Sequence, residues 1–403
     1  MIRRLGRARD ALLCTIALLV VGNGALRAQG ASADDGRTSV RRAAEWLLKE
    51  QRPDGSFGYG SIDSVQFIGF SPETYYAFKM AANGLSFMAL ASLEETPERR
   101  AALERTLGWL LETRVPKRGS DWDIDCSWAA LWTMNAMVTA AKDPRFSQGD
   151  GAKKWMDRIR ARADEAYTLL EKNQELMGGW GYYEGPMISH RPTWATSFST
   201  ACVIPALVDA QRMGWKVDPK VTERAVDYVR RCRLPGGAYT YDLSPVPWVG
   251  GESINDPKGS LGRIQVCNWA RRRAGDERVT DEDIKKGLEV FFEEHRFLDA
   301  ARMKPVPHEA YYYNAAYFYF FGHYHAALVI NQLPEAEREA WHAKLRTELV
   351  KVQWPDGSSL DFPNLSCMQV AGTSFSILAL QAGIVAPTPA ATKPAERKPA
   401  AAK

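Results

Sequence analysis

The stretch EWLLKEQRPDGSFG, residues 45–58, carries an apolar helix end, three further residues, Gln51 and a Pro-Asp-Gly turn. Proline has no N–H to continue a helix, and glycine readily takes the left-handed backbone that ends one. The same frame returns in ELVKVQWPDGSSLD (348–361). It returns more loosely in GWLLETRVPKRGSDW (108–122), LLEKNQELMGGWGYY (169–183) and DYVRRCRLPGGAYTY (227–241). A sixth segment, VFFEEHRFLDAAR (290–302), keeps the helix end and loses the glycines. One supersecondary unit is therefore written six times.

After each turn comes a far more apolar helix, marked by a polar–aromatic dyad. The dyads are Ser86-Phe87, Ser127-Trp128, Ser197-Phe198, Asn268-Trp269, His323-Tyr324 and Ser374-Phe375. No strand-like alternation of useful length interrupts the series. A helix apolar on most faces must be enclosed, and stacked hairpins bury one another's faces. Six inner helices surrounded by six outer ones satisfy both conditions. The pattern predicts an all-α protein: a single α/α toroid of six helical hairpins, an α6/α6 barrel, over residues 39–385. The glycine-bearing turns and the starts of the inner helices should gather at one mouth.

The two ends read differently. A basic head, a short glycine-broken apolar stretch and small residues around Ala28 give residues 1–29 the layout of a secretory signal peptide. Arg3-Arg4 leaves both the general and the twin-arginine routes open. No later segment reads as long and apolar enough to span a bilayer, so export to the periplasm or the medium is the expectation. Five arginines and one aspartate fall in residues 1–29, so the remainder carries equal numbers of basic and acidic side chains. That balance speaks against a nucleic-acid partner. Residues 386–403 are a Pro/Ala/Lys tail expected to be disordered. Cys126, Cys202, Cys232, Cys267 and Cys367 are widely spaced and lie mostly in apolar runs, which points to buried thiols.

The opening stretch resembles the QW repeat of squalene and terpenoid cyclases, with Trp46, Leu47, Gln51, Gly55 and Phe57 in its places and Phe where the family closes on Trp. Gln174, Gly178 and Trp180 fill the corresponding places of the third copy, there with the Trp. The likeness extends to protein prenyltransferase β-subunits and covers about residues 39–385. It implies the toroid; a fold hosts many activities, so it implies function less directly.

RGSDWDIDCSWAALW (118–132) carries the chemistry. Four and two residues before its dyad stand Asp123 and Asp125, where the other copies have Ala82 and Gly84, Thr193 and Ala195, Ile264 and Val266, Tyr319 and Phe321, Val370 and Gly372. The fold does not need carboxylates there, although Asp121 or Asp123 can still cap the helix. A carboxyl on an aromatic wall is desolvated, so its pKa rises and it can donate a proton to an apolar substrate. DIDCS (123–127) is similar to a blend of the Asp-x-Asp-Asp-Thr of squalene-hopene cyclases and the Asp-Cys-Thr of oxidosqualene cyclases. The resemblance implies Asp125 as the acid, Cys126 as its hydrogen-bonding neighbour and Asp123 as a supporting carboxylate. Two departures stand out: those cyclases have two helical domains and work on membrane-borne triterpenes inside the cell. In the prenyltransferases, Asp-x-Cys and a later His hold zinc. Here those places read Asp123-x-Asp125 and Gly372, and His323 and His325 point to different sides of a helix, so no metal and no cofactor is expected.

PHEAYYYNAAYFYFFGHYHAAL (307–328) holds nine aromatics. It reads as a buried inner helix, or as a lumen wall whose ring faces hold an apolar or lipid ligand. Trp122, Trp128, Tyr311, His323 and Tyr324 are the ligand-binding candidates. Glu184, Asp242 and Glu252 on mouth loops are the carboxylates a glycoside hydrolase or lyase would pair. The expectation is an exported, terpenoid-cyclase-like toroid with Asp125 initiating cyclisation. A non-catalytic ligand- or protein-binding toroid and a carbohydrate-active enzyme are the alternatives.

Overall fold

The computed structural model describes residues 30–58, 72–119, 125–182, 192–243, 251–363 and 365–384. The expected signal peptide, the tail, Asp121, Trp122, Asp123 and Glu184 lie outside them.

Six helices form an inner ring: α2 (Pro72–Ala91), α4 (Ser127–Lys142), α7 (Ser197–Arg212), α9 (Leu261–Arg273), α12 (Phe318–Ile330) and α14 (Ser366–Ile384). Each packs on the next, and α14 packs back on α2, so the ring is closed. Outside it lie α1 (Ala33–Glu50), α3 (Pro97–Glu112), α6 (Ala152–Lys172), α8 (Pro219–Arg231), α10 (Asp281–Glu293) and α13 (Glu335–Val352), with short α5 (Pro144–Ser147) and α11 (Arg296–Ala301) between. Among the described residues the chain is all helix and loop, an α/α toroid.

Sequence explains which helix goes where. In α8 only Val221, Thr222, Ala225, Tyr228 and Val229 are buried, a single stripe at helical spacing. In α12, twelve of thirteen residues are buried, from Phe318 through Ile330. Polar side chains pin the inner ring internally. The Ser86 and Ser374 hydroxyls meet at 3.1 Å between α2 and α14. The Asn135 amide donates to the Cys202 carbonyl at 3.3 Å between α4 and α7. Buried polar groups need such partners.

The glutamine of the repeated frame is a tie rod. Gln51 Nε2 donates to the Ala102 carbonyl of α3 at 2.8 Å, and Gln174 Nε2 to the Val221 carbonyl of α8 at 2.9 Å. Gln353 Nε2 donates to the Ser39 carbonyl of α1 at 2.9 Å, closing the outer layer from last to first. The turn glycines Gly55, Gly178 and Gly357 have φ of 88°, 109° and 96°, and a Cβ on each would lie 2.4 Å from a carbonyl oxygen of the next outer helix. Only glycine fits that approach.

Two expectations are corrected. The dyads do not mark one register: Ser127 and Ser197 open their helices, whereas Ser86 and Ser374 lie well inside theirs. Helix α14 is long and apolar enough to cross a membrane by length and composition, contrary to the sequence expectation. In the fold it is a ring helix between α12 and α2, and its apolar character serves that packing.

Candidate functional site

Five inner helices, α9 excepted, together with segments leading into them surround a cavity of about 290 Å³, close to the lower bound for small-molecule pockets. Its wall is mainly rings: Phe78, Trp128, Trp132, Tyr182, Phe198, Tyr317, Phe318, Phe321, Phe362 and Phe375. Ala81, Ala82 and Ala371 leave the space those rings surround. Phe198 anchors the set, with ring centroids 5.8 Å from Trp128, 5.1 Å from Phe318 and 5.8 Å from Phe321.

Asp125 supplies the one carboxyl among the described residues of that wall. The chain enters α4 through it at φ 68°, a left-handed conformation that costs a non-glycine residue about 1–3 kcal/mol. The carboxyl does not cap the helix. Its Oδ1 accepts from the Trp128 indole N–H at 3.1 Å. Although part of its surface faces the cavity, desolvation dominates: burial pushes its pKa from 3.8 up to about 7, and the indole hydrogen bond offsets only part of the rise. At neutral pH the group is therefore poised to give up a proton.

Around the acid the polar groups are sparse. The buried Tyr182 hydroxyl has no partner in full hydrogen-bonding geometry among the described residues; the Tyr317 hydroxyl interacts with it more loosely. His308 also lines the cavity, at φ 63°. Its Nδ1–H donates to the Tyr313 carbonyl at 2.7 Å. Nε2 is thereby left to accept from the Tyr317 hydroxyl at 3.0 Å or the Tyr241 hydroxyl at 3.3 Å. Burial lowers the His308 pKa, which favours this neutral form.

Of the predicted residues that are described, Asp125 and Trp128 line the cavity. Asp123 and Trp122 fall outside the described residues. Cys126 faces the outer layer, beside Pro116, Leu169 and Trp180, not the lumen. Tyr311 is 65% exposed on a 3₁₀ turn rather than on the inner helix, which starts only at Phe318. Tyr324 packs on Phe375 at 5.5 Å, buried beyond the cavity wall. His323 points outward to His295, and His325 to Trp269, so the two rings do diverge. Glu252 serves the backbone instead, accepting from Tyr312 N at 2.9 Å.

Sequence reasoning passed over Asp361. Its Oδ2 accepts from Phe320 N at 3.1 Å, capping α12 from another segment, and burial raises its pKa to about 7. The place of Asp361 four residues after the turn glycine of the last frame was the available signal.

The fold defines a class, the α/α toroid, an architecture shared by terpene cyclases and several glycoside hydrolases. The chain is similar to the type II terpene cyclase MstE from Scytonema, 14% identical over 88% of this chain and 100% of that one, with a TM-score of 0.50. It is also similar to an unsaturated glucuronyl hydrolase variant with the saccharide dGlcA-Glc-Rha-Glc, 13% identical over 87% and 96% of the two chains, TM-score 0.57. An inactive variant of the α-1,6-mannanase of Salegentibacter with α-1,6-mannotriose is 11% identical over 86% and 99%, TM-score 0.52. At these identities the likeness is one of fold. No protein-family model matches the chain, and no curated protein matches its sequence.

Proposed function

We propose that this protein is a terpenoid-cyclase-like isomerase that binds an apolar, isoprenoid chain in its lumen and protonates it from Asp125. The observation that carries the reading is a desolvated carboxyl, the one among the described residues of a wall of rings. In the reaction the Asp125 O–H bond breaks as an alkene π pair takes the proton, forming a C–H bond and a tertiary cation. Neighbouring π bonds close rings onto that cation, and loss of a proton to water leaves a neutral isomer of the substrate. Water then reprotonates Asp125. The faces of Trp128, Phe198, Phe321 and Phe375 supply negative quadrupole to the migrating charge. The Trp128 N–H holds the carboxylate that remains.

A glycoside hydrolase on this fold needs two carboxyls roughly 5–9.5 Å apart across an open polar cleft. The described lumen wall offers one, among rings, and that favours the apolar substrate. The same proposal places the protein outside the cytoplasm, on the strength of the leader-like residues 1–29.

The test is incubation of the purified protein with squalene, geranylgeraniol and a geranylgeranylated aromatic acid, with product masses read by gas chromatography–mass spectrometry. A product isomeric with its substrate, absent from Asp125→Asn, supports the proposal. No isomerisation, with sugar released from α-mannan or unsaturated uronides instead, overturns it.

A further inference from the structure

Away from the lumen, the proton positions of two histidines lead to a second site. His323 Nδ1 lies 2.7 Å from the Tyr319 carbonyl, which can only accept, so Nδ1 carries the proton. With its proton held there, the ring's Nε2 is left as an acceptor. That nitrogen sits 3.0 Å from His295 Nε2, which must therefore be the donor. His295 is 6% exposed, and its remaining nitrogen, Nδ1, faces Asp299 Oδ2 at 3.2 Å and Glu348 Oε2 at 3.7 Å. One imidazole nitrogen and two carboxyl oxygens thus converge on a single point between α11 and α13. Such a convergence suits a cation, and Lys351 reaches the edge of the same place.

We propose that His295 Nδ1, Asp299 and Glu348 form a binding site for a divalent transition metal of the zinc class, with water in the remaining position. The three ligand atoms all lie within 4.8 Å of one another. Metal–ligand bonds of about 2.0–2.2 Å set tetrahedral ligand–ligand edges near ~3.4 Å, between the two distances His295 makes. The outward N–H of a metal-bound histidine is normally held by an acceptor, which is the part His323 plays here. Asp299 lies one helical turn after His295, on α11, and Glu348 lies on α13, so the metal would clamp the short helix to the outer layer.

Lys351 is the built-in competitor. Its Nζ lies 3.0 Å from Glu348 and 3.5 Å from Asp299, on a side chain 56% exposed that is free to swing into solvent. The site is independent of the lumen chemistry and stands or falls without it.

The test uses the full chain, stripped with a chelator and titrated with Zn²⁺ alone against a chromophoric competitor, with Co²⁺ absorption reporting the geometry. One equivalent should bind, with a tetrahedral Co²⁺ spectrum. Lys351→Met should tighten binding, Glu348→Gln and His295→Ala should abolish it, and His323→Leu should weaken it about 10–100-fold. Circular dichroism on each variant separates a lost ligand from a lost fold. No uptake by the native chain or by Lys351→Met overturns the proposal. So does uptake that survives both Glu348→Gln and His295→Ala.

Discussion

The indole N–H of Trp128 donates to the carboxyl of Asp125 three residues earlier, at 3.1 Å, so one ring both walls the lumen and steadies its acid. A hydrogen bond to the charged form lowers a pKa. Removing it in Trp128→Phe should raise the Asp125 value above about 7 while the aromatic wall survives. Carbon-13 titration of labelled aspartate reads this directly, and in an active enzyme the alkaline limb of the rate profile should move the same way. An unchanged or lower value would mean the indole bond does not tune the acid.

Stability should depend on pH through two carboxyls. Asp125 and Asp361 both have folded values near 7, raised first of all by burial, against 3.8 for a fully exposed carboxyl. Between about 3.8 and 7 the folded protein holds protons the unfolded chain has released, so stability should fall as pH rises through that window. Across the whole window the loss is about 4 kcal/mol for each carboxyl. Chemical denaturation at pH 5 and pH 8 measures it. Asp125→Asn should flatten the dependence; a steeper curve in that variant would contradict the assignment.

Asp361 should tell its two roles apart. Asparagine keeps an oxygen for the Phe320 N–H, so Asp361→Asn should match or exceed the native stability above pH 7. Asp361→Ala leaves that donor buried without its acceptor, at a cost of about 1–3 kcal/mol. Equal stabilities of the two variants would show that the cap contributes nothing.

The tie at the ring closure can be cut in two ways. Gln353→Ala leaves the Ser39 and Gly357 carbonyls without their donor and should cost about 1–3 kcal/mol. Gly357→Ala forces a Cβ to 2.4 Å from the Arg42 carbonyl at φ 96° and should cost more than about 2 kcal/mol. Thermal melts rank the pair, and a tolerated Gly357→Ala would refute the close approach.

Small residues set the room in the lumen. Ala371→Phe should fill it, abolishing uptake of an apolar fluorescent probe while leaving the melting temperature within a few degrees of native. Loss of fold instead of loss of binding would mean there is no space there to fill.

The fold was legible because its signal is repeated. The Gln-to-glycine frame recurs at 51–55, 174–178 and 353–357, and in each the same hydrogen bond reaches the next outer helix. The site was legible only in part. Asp125 stood out because no other copy has an acid at that place. His323 and Tyr324 were misplaced because the dyad does not mark depth along the helix, and α12 begins at Phe318, later than the aromatic run suggests. Asp361 and His295 act through distant partners, Phe320 in one case and His323 in the other, and local spacing does not reveal such pairings.

Gln353 holding Ser39 has a consequence for how the molecule comes apart. A row of hairpins frays from its ends, one unit at a time, because each end unit has a single neighbour. Here every hairpin has two, and the chain ends are only a gap in the backbone at a seam that side chains already bridge. Opening the circle anywhere breaks two contacts for the first unit lost, and the lumen vanishes with it. Half the hairpins do not make half a binding site, so binding capacity and fold should be lost together, in one step.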